Sequence, residues 1–306
     1  MFWALFSGIG ACANAAYFIA NKKFLQTVEP DILAASGFLF TSLFLLTIVT
    51  VRGIPTLGAD FFLAVFVTSA INVVATTLTL RALKSTDISL AVPMLSFTPL
   101  FLVVTAALIL HEVPSFIGIA GIITIVAGSY VLNTSAEHTN LLDPFRAMIS
   151  HPGILSMFVV SFLYAIAIGF DKMVVLNSDV VFGSGVVFLV LGSAFLLIHL
   201  LKRLSTTVGT GTLSISSASG TGFINIPLRD LLVPGIVIGV IITIEAITIN
   251  TAYLDQIAPY VIAIKRMSIL ISVLYGTLVF REKEIFRRIS GAGLMVCGVV
   301  LILVFP

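Results

Sequence analysis

The chain has 306 residues, of which 59% are hydrophobic and only 10% charged, with a net charge of +2. A water-soluble domain is about half apolar and about a quarter charged, so this chain lacks the polar surface to coat a water-facing globule. The same arithmetic argues against a disordered regulator or a disulfide scaffold, and the lack of any Lys/Arg-rich tract argues against nucleic-acid partners. A multi-pass protein of the cell membrane, in contact with lipids, is the expectation.

A bilayer core takes roughly 20 apolar residues per helix. Windows of that kind lie near 2–20, 32–51, 61–80, 88–110, 114–132, 153–173, 180–201, 231–253, 258–280 and 286–304. They are apolar all round rather than alternating, which predicts helices and not barrel strands. The expected fold class is all-α, a polytopic membrane protein of ten transmembrane helices.

The first window opens Met1-Phe2-Trp3 with no basic segment before it and reads as a retained span, not a cleaved signal. Its Ser7, Gly8, Gly10, Ala11 and Ala13 suit close helix packing. Cys12, like Cys297 in the last window, reads as a small buried hydrophobe. The span ends in Asn21-Lys22-Lys23, and Pro30-Asp31 precedes the second, with Asp31 placed to cap free N–H groups. Arg81 and Lys84 close the third span, and Leu110-His111-Glu112 closes the fourth. Pro114 falls at the first turn of the fifth, where its missing donor costs nothing. Asp171-Lys172 closes the sixth, and residues 203–229, largely Ser, Thr and Gly, read as a flexible loop after the seventh. Glu245 sits near the middle of the eighth span, and Lys265-Arg266 about a third of the way into the ninth.

The sequence repeats internally. At an offset of 170, Glu112, Phe116, Ile119, Gly121, Val126 and Gly128 recur as Glu282, Phe286, Ile289, Gly291, Val296 and Gly298. At 148, Asp31, Ser36, Gly37 and Phe40 recur as Asp179, Ser184, Gly185 and Phe188, and at 150 Asn21-Lys22 recurs as Asp171-Lys172. The expected organisation is a first repeat over 1–132, an inter-repeat loop over 133–152 and a second repeat over 153–306. Each repeat holds five spans, and an odd number inverts the second relative to the first, the symmetry that lets a central cavity open to either side.

A charge inside a span costs about 2.5–3.5 kcal/mol on insertion scales and so asks for a reason. Lys265 and Arg266 form either an anion clamp, a planar fork beside a point charge, or an ion pair with Glu245 that fixes the eighth span to the ninth. Glu245 is either that counterion or a carboxyl that exchanges a proton as the cavity alternates, which would make protons the coupling ion. Lys22 and Lys172 either snorkel to the interface or point into the cavity from equivalent positions, with Asp171 balancing Lys172. Asn72, Asn250, Tyr164, Tyr253 and Tyr260 hydrogen-bond either a solute or a neighbouring helix. The candidate substrate-binding residues are Lys265, Arg266, Glu245, Lys22, Lys172 and Asp171. Glu112 and Glu282 are read as architectural, each a charge at the start of the following helix. Lys and Arg collect in the loops after odd-numbered spans, which by the positive-inside rule places both termini outside the cytoplasm.

Each half resembles an EamA domain of the drug/metabolite transporter superfamily. In the first half the resemblance rests on Pro99-Leu100-Phe101, Leu110-His111-Glu112, Gly118, Gly121 and Gly128. In the second it rests on Lys265-Arg266, Gly276, Phe280-Arg281-Glu282, Arg287-Arg288, Gly291 and Gly298, with Ile269 where the first half has Pro99. The resemblance implies a transporter architecture and leaves the solute open, since that superfamily carries amino acids, nucleotide sugars, phosphorylated sugars, cations and lipid-linked sugars. Some phosphate-handling members hold the anion with a similar Lys-Arg pair in the ninth helix. The expected function is a secondary-active transporter of a small anionic or zwitterionic metabolite, working by alternating access as a monomer or homodimer. The alternatives are a flippase for a phospholipid-linked sugar, a channel or an intramembrane enzyme. No catalytic motif, metal-ligand cluster or cofactor signature lies in any span, so no catalytic residue, metal or cofactor is expected.

Overall fold

The computed structural model describes residues 2–133, 151–209, 228–271 and 285–305. Its helices are α1 (Phe2–Phe24), α2 (Pro30–Arg52), α3 (Phe61–Ser85), α4 (Ile88–Ala91), α5 (Thr98–Ile109), α6 (Phe116–Asn133), α7 (Pro152–Leu176), α8 (Val180–Gly209), α9 (Leu228–Asp255), α10 (Ala258–Lys265) and α11 (Ile285–Val304). A 3₁₀ helix, Val92–Phe97, joins α4 to α5, and there is no strand among the described residues. Seven helical stretches are long and apolar enough to cross a membrane, and Phe116–Leu132 and Ile289–Val304 are shorter apolar helices. Phe62, Phe66, Leu108 and Phe116 are 71%, 73%, 74% and 93% exposed. Side chains this large and apolar stand outward in such number where the surrounding medium is lipid.

Several helices run further than hydropathy alone suggests. The first span reaches Phe24, the third Ser85 and the sixth Leu176, so Lys22, Arg81, Lys84, Asp171 and Lys172 all lie within helices. The seventh continues to Gly209, which makes the start of the expected 203–229 loop helical. Residues 134–150 of the inter-repeat loop, and Gly276, Phe280, Arg281 and Glu282, lie outside the described residues.

Local chemistry at the helix ends differs from the expectation in three places. Asp31 caps nothing; it lies in the first turn of α2 and its carboxylate takes Lys202 of α8. Its repeat counterpart Asp179 is the capping residue, accepting the N–H groups of Val181 and Phe182 at 2.7 and 2.6 Å. Pro114 lies two residues before α6, and the cap there is Ser115, whose Oγ accepts the Gly118 N–H at 3.0 Å. Cys12 and Cys297 are exposed and not buried, because a lipid-facing position is as apolar as a core.

The expected fourth span is broken. Pro93 and Pro99 each lack a donor, and between them the backbone tightens into the 3₁₀ turns of Val92–Phe97. The ninth span breaks as well, although Ile269 replaces proline there: α10 ends at Lys265, Arg266 forms a turn, and helix resumes over 267–271. The Arg266 N–H is shared between the Ile262 and Ala263 carbonyls, a tightened last turn in place of a proline kink. Position 266 stands 170 residues after Ser96, inside the first break.

Packing follows the repeat offsets. The α1 helix packs on α9 and α3 on α7, pairings that exchange with one another when the halves are exchanged. The α6 helix packs on α11 through glycines. A methyl at Gly121 would meet the Gly298 carbonyl oxygen at 2.9 Å, and one at Gly291 would meet the Gly128 oxygen at 2.7 Å. Those two contacts interconvert at an offset of 170 in the sequence. Between α2 and α8, Ser42 donates to the Gly185 carbonyl at 2.9 Å, and the Phe38 and Phe188 rings stack at 5.6 Å.

Candidate functional site

The helices enclose a cavity of about 190 Å3. Its polar wall consists of Asn14 and Tyr17 from α1, Asn72 and Thr76 from α3, Tyr164 and Asp171 from α7, Ser184 from α8, and Glu245, Asn250 and Tyr253 from α9. Lys265 and Arg266 enter at the break after α10, and Phe18, Phe38, Leu95, Ile168 and Phe188 supply apolar wall. Several lining positions are equivalent by sequence offset: Asn14 with Tyr164 and Phe18 with Ile168 at 150, and Asn72 with Ile242, Thr76 with Ala246 and Leu95 with Lys265 at 170.

Lys265 and Arg266 meet different partners. The Lys265 ammonium pairs with Glu245 Oε1 at 2.5 Å, with both side chains under one-fifth exposed. Asn14 Nδ2 donates to the same carboxylate oxygen at 3.0 Å, while Asn14 Oδ1 accepts from Ser268 Oγ at 3.0 Å. The amide is thereby held from one side and aimed at Glu245 from the other, tying α1 to α9 and to the chain after the break. Arg266 is 3% exposed; its Nε has no hydrogen-bond partner among the described residues, and Tyr164, Glu245 and Tyr253 lie within electrostatic reach of it. Of the two expected arrangements, Lys265 takes the ion pair, and Arg266 lines the cavity within electrostatic reach of the same carboxylate.

Asp171 also lines the cavity, but it does not balance Lys172. Its Oδ1 accepts from Thr68 Oγ1 at 2.5 Å, and Asn72 Nδ2 donates to that hydroxyl at 2.9 Å. Successive residues on a helix diverge by roughly 100°, and Lys172 accordingly points elsewhere. It is 5% exposed, pairs with Glu112 Oε1 at 2.5 Å and donates to the Gln256 carbonyl at 2.7 Å. Glu112 Oε2 accepts the Ala258 N–H at 2.8 Å, so this carboxylate caps α10 and not the helix that follows it in sequence. His111, just before it, holds a left-handed φ of 56°, a backbone cost of about 1 kcal/mol or more that the two Glu112 contacts hold in place.

Lys22 likewise stands outside the cavity wall. Its ammonium donates to the Leu83 and Thr86 carbonyls at 2.7 and 2.8 Å, capping the end of α3. Thr86 and Gln256, the acceptors of Lys22 and Lys172, are themselves 170 residues apart. Two pseudo-equivalent lysines therefore hold pseudo-equivalent helix ends in place of reaching a solute or snorkelling to the interface.

Among the uncharged candidates, Asn72, Tyr164, Asn250 and Tyr253 line the cavity, and Asn250 donates to Ser184 Oγ at 2.7 Å. Tyr260 does not; its hydroxyl accepts the Ser115 N–H at 2.9 Å in the space that Gly118 leaves open. Sequence reasoning missed Asn14 and Tyr17. The available signal was a polar stripe, Asn14, Tyr17 and Asn21 at helical spacing, on an otherwise largely apolar helix.

An all-helical bundle that spans the membrane many times around a charged, polar-walled cavity is the architecture of a membrane transporter. Residues 1–134 match the model of the EamA-like transporter family, bearing out the resemblance read from the motifs of the first half. A solved structure described as "Crystal structure of protein" shares the fold with a TM-score of 0.70, at 14% sequence identity over 99% of this chain and 97% of that one. No curated protein matches the sequence.

Proposed function

We propose that the protein is a secondary-active transporter that moves a small anionic or zwitterionic metabolite by alternating access of two inverted five-helix repeats, 1–132 and 153–306. The observation that carries the reading is Arg266, a guanidinium 3% exposed that lines the cavity with its Nε left without a hydrogen-bond partner among the described residues. Burying a charged donor without its acceptor in a membrane protein is costly, and a solute anion supplies the missing acceptor only when bound. The cavity volume of about 190 Å3 lies below the roughly 300–1,000 Å3 of drug-sized pockets, which favours a small solute. The inverted arrangement is supported by the reciprocal glycine contacts of α6 and α11 and by the matched roles of Lys22 and Lys172.

Uptake into proteoliposomes of carboxylates, phosphates, amino acids and cationic drugs, with and without a pH gradient, tests this. Arg266→Gln is expected to weaken solute binding by about 10- to 100-fold, the equivalent of one charge-assisted hydrogen bond. Retained affinity in that variant would sink the anion-binding role. Lys265→Gln is expected to act less on affinity than on stability, because its ammonium is already spent on Glu245.

A further inference from the structure

The lysines at equivalent positions in α1 and α7 stand at opposite ends of the bundle. Gly10 of α1 lies against Ile249 of α9 and Asn14 bonds Glu245, so those two helices run antiparallel. Lys22, near the end of α1, is therefore far from Lys172, whose acceptor Gln256 follows the end of α9. At that second end Lys172 has a carboxylate as well. Glu112 takes the Lys172 ammonium on Oε1 at 2.5 Å and the Ala258 N–H on Oε2 at 2.8 Å. One side chain from the connection between α5 and α6 thus joins α7 to the junction of α9 and α10. The two charged side chains are 6% and 15% exposed. Neither lines the cavity, but Tyr253 does, and its ring centroid lies 5.9 Å from Lys172 Nζ.

We infer that Lys172 and Glu112 form a gate, an ion pair that seals this end of the cavity and parts when the end opens. The gate presupposes the alternating-access reading above and places one of its moving contacts. While the pair is made, the α5–α6 connection cannot leave α7 and the α9–α10 junction, so the cavity cannot widen past Tyr253. Glu112 belongs to the first half of the sequence and its three partners to the second, so the contact crosses between the parts that must move. An ion pair suits this place. Its Coulomb attraction is largely offset by desolvation of both charges, and water entering an opening mouth returns that hydration. An apolar seam would oppose the same wetting. The chain before the carboxylate is strained, with His111 at a left-handed φ of 56°, and parting the pair frees that backbone to relax.

The test uses the full chain carrying Cys12→Ser and Cys297→Ser, with Ala246→Cys as reporter in the cavity wall, reconstituted in one orientation in proteoliposomes. A small membrane-impermeant methanethiosulfonate is applied to each face in turn, and the labelling rate is measured. In a separate preparation Val113→Cys, exposed beside Glu112, identifies the gated face. Glu112→Gln is expected to raise reporter labelling from that face about 10-fold and to lower it from the other, because a contact made in one state is lost. Glu112→Asp keeps the charge and shortens its reach by one methylene. It is expected to give a smaller change in the same direction, and it carries the test if Glu112→Gln does not fold. Lys22→Gln, at the other end, is expected not to raise labelling from the gated face, and a rise there would overturn the gate as general loosening. Labelling from both faces at rates that the Glu112 variants leave unchanged, or shift equally, overturns the gate and leaves alternating access standing. Labelling from one face only, or from neither, in every variant overturns both.

Discussion

Lys265 and Arg266 are adjacent, and the physics that separates them is their partners. Lys265 ends α10 against Glu245, and Asn14 orients that carboxylate from α1. Removing the acid leaves a poorly hydrated ammonium without its counter-charge, which costs more than the pair itself contributes. Glu245→Gln is therefore expected to lower the thermal unfolding midpoint, and Glu245→Gln combined with Lys265→Met to recover most of the loss. A double-mutant cycle on detergent-solubilised protein should give a coupling of about 1–3 kcal/mol. Additive losses would show that the contact carries no stability. The same variants separate support from proton coupling: a supporting Glu245 keeps the ratio of pH-driven uptake to counterflow, whereas a coupling site loses only the former.

At the scale of elements, the bundle depends on places where backbones come close enough to exclude a side chain. A methyl at Gly128 of α6 would lie 2.7 Å from the Gly291 carbonyl oxygen and from the Met295 nitrogen, both backbone atoms that cannot rotate aside. Gly128→Ala is expected to destabilise the protein by about 1–3 kcal/mol, the range for overpacking. At Gly293, on the facing helix α11, an added methyl would meet nothing within 4 Å, so Gly293→Ala should be neutral or stabilising by up to about 1 kcal/mol. Equal behaviour of the two variants in thermal unfolding would refute the close packing of α6 on α11. The broken fourth and ninth spans belong to this scale too. One break comes with two prolines and the other with a tightened turn at Arg266, so the geometry is shared while the residues that produce it are not.

At the scale of the molecule, the cavity is lined by several pairs of equivalent positions, yet among the described residues its Lys and Arg side chains, Lys265 and Arg266, lie in the second half of the sequence. Leu95 stands where the other half has Lys265, and Ser96 where it has Arg266. In the proposed binding mode the anionic end of a solute meets Arg266, while Phe18 and Leu95 line the apolar wall. The proposed alternating access requires that uptake saturate and that solute on the far side accelerate it, since a loaded carrier returns by exchange. Trans-stimulation of uptake is the expected outcome in proteoliposomes preloaded with the same solute. Linear, unstimulated flux would instead indicate a channel.

The apolar windows, the matching residues at offsets of 148, 150 and 170 and the EamA-like motifs were all legible in sequence, because membrane insertion depends on summed hydropathy and matching intervals can be read directly along a chain. The short list of intramembrane charges was legible for the same reason: each is costly, so each stands out. Which charge meets which was decided by the tertiary structure. Asp171 and Lys172 share a peptide bond but point into different surroundings, Glu112 serves a helix 146 residues away, and Asn14 reaches Glu245 across 231 residues of chain. Pairing of this kind depends on side-chain direction and on which helices abut. Neither is encoded in local sequence pattern, and that Lys265 rather than Arg266 contacts Glu245 emerges only from the packed helices.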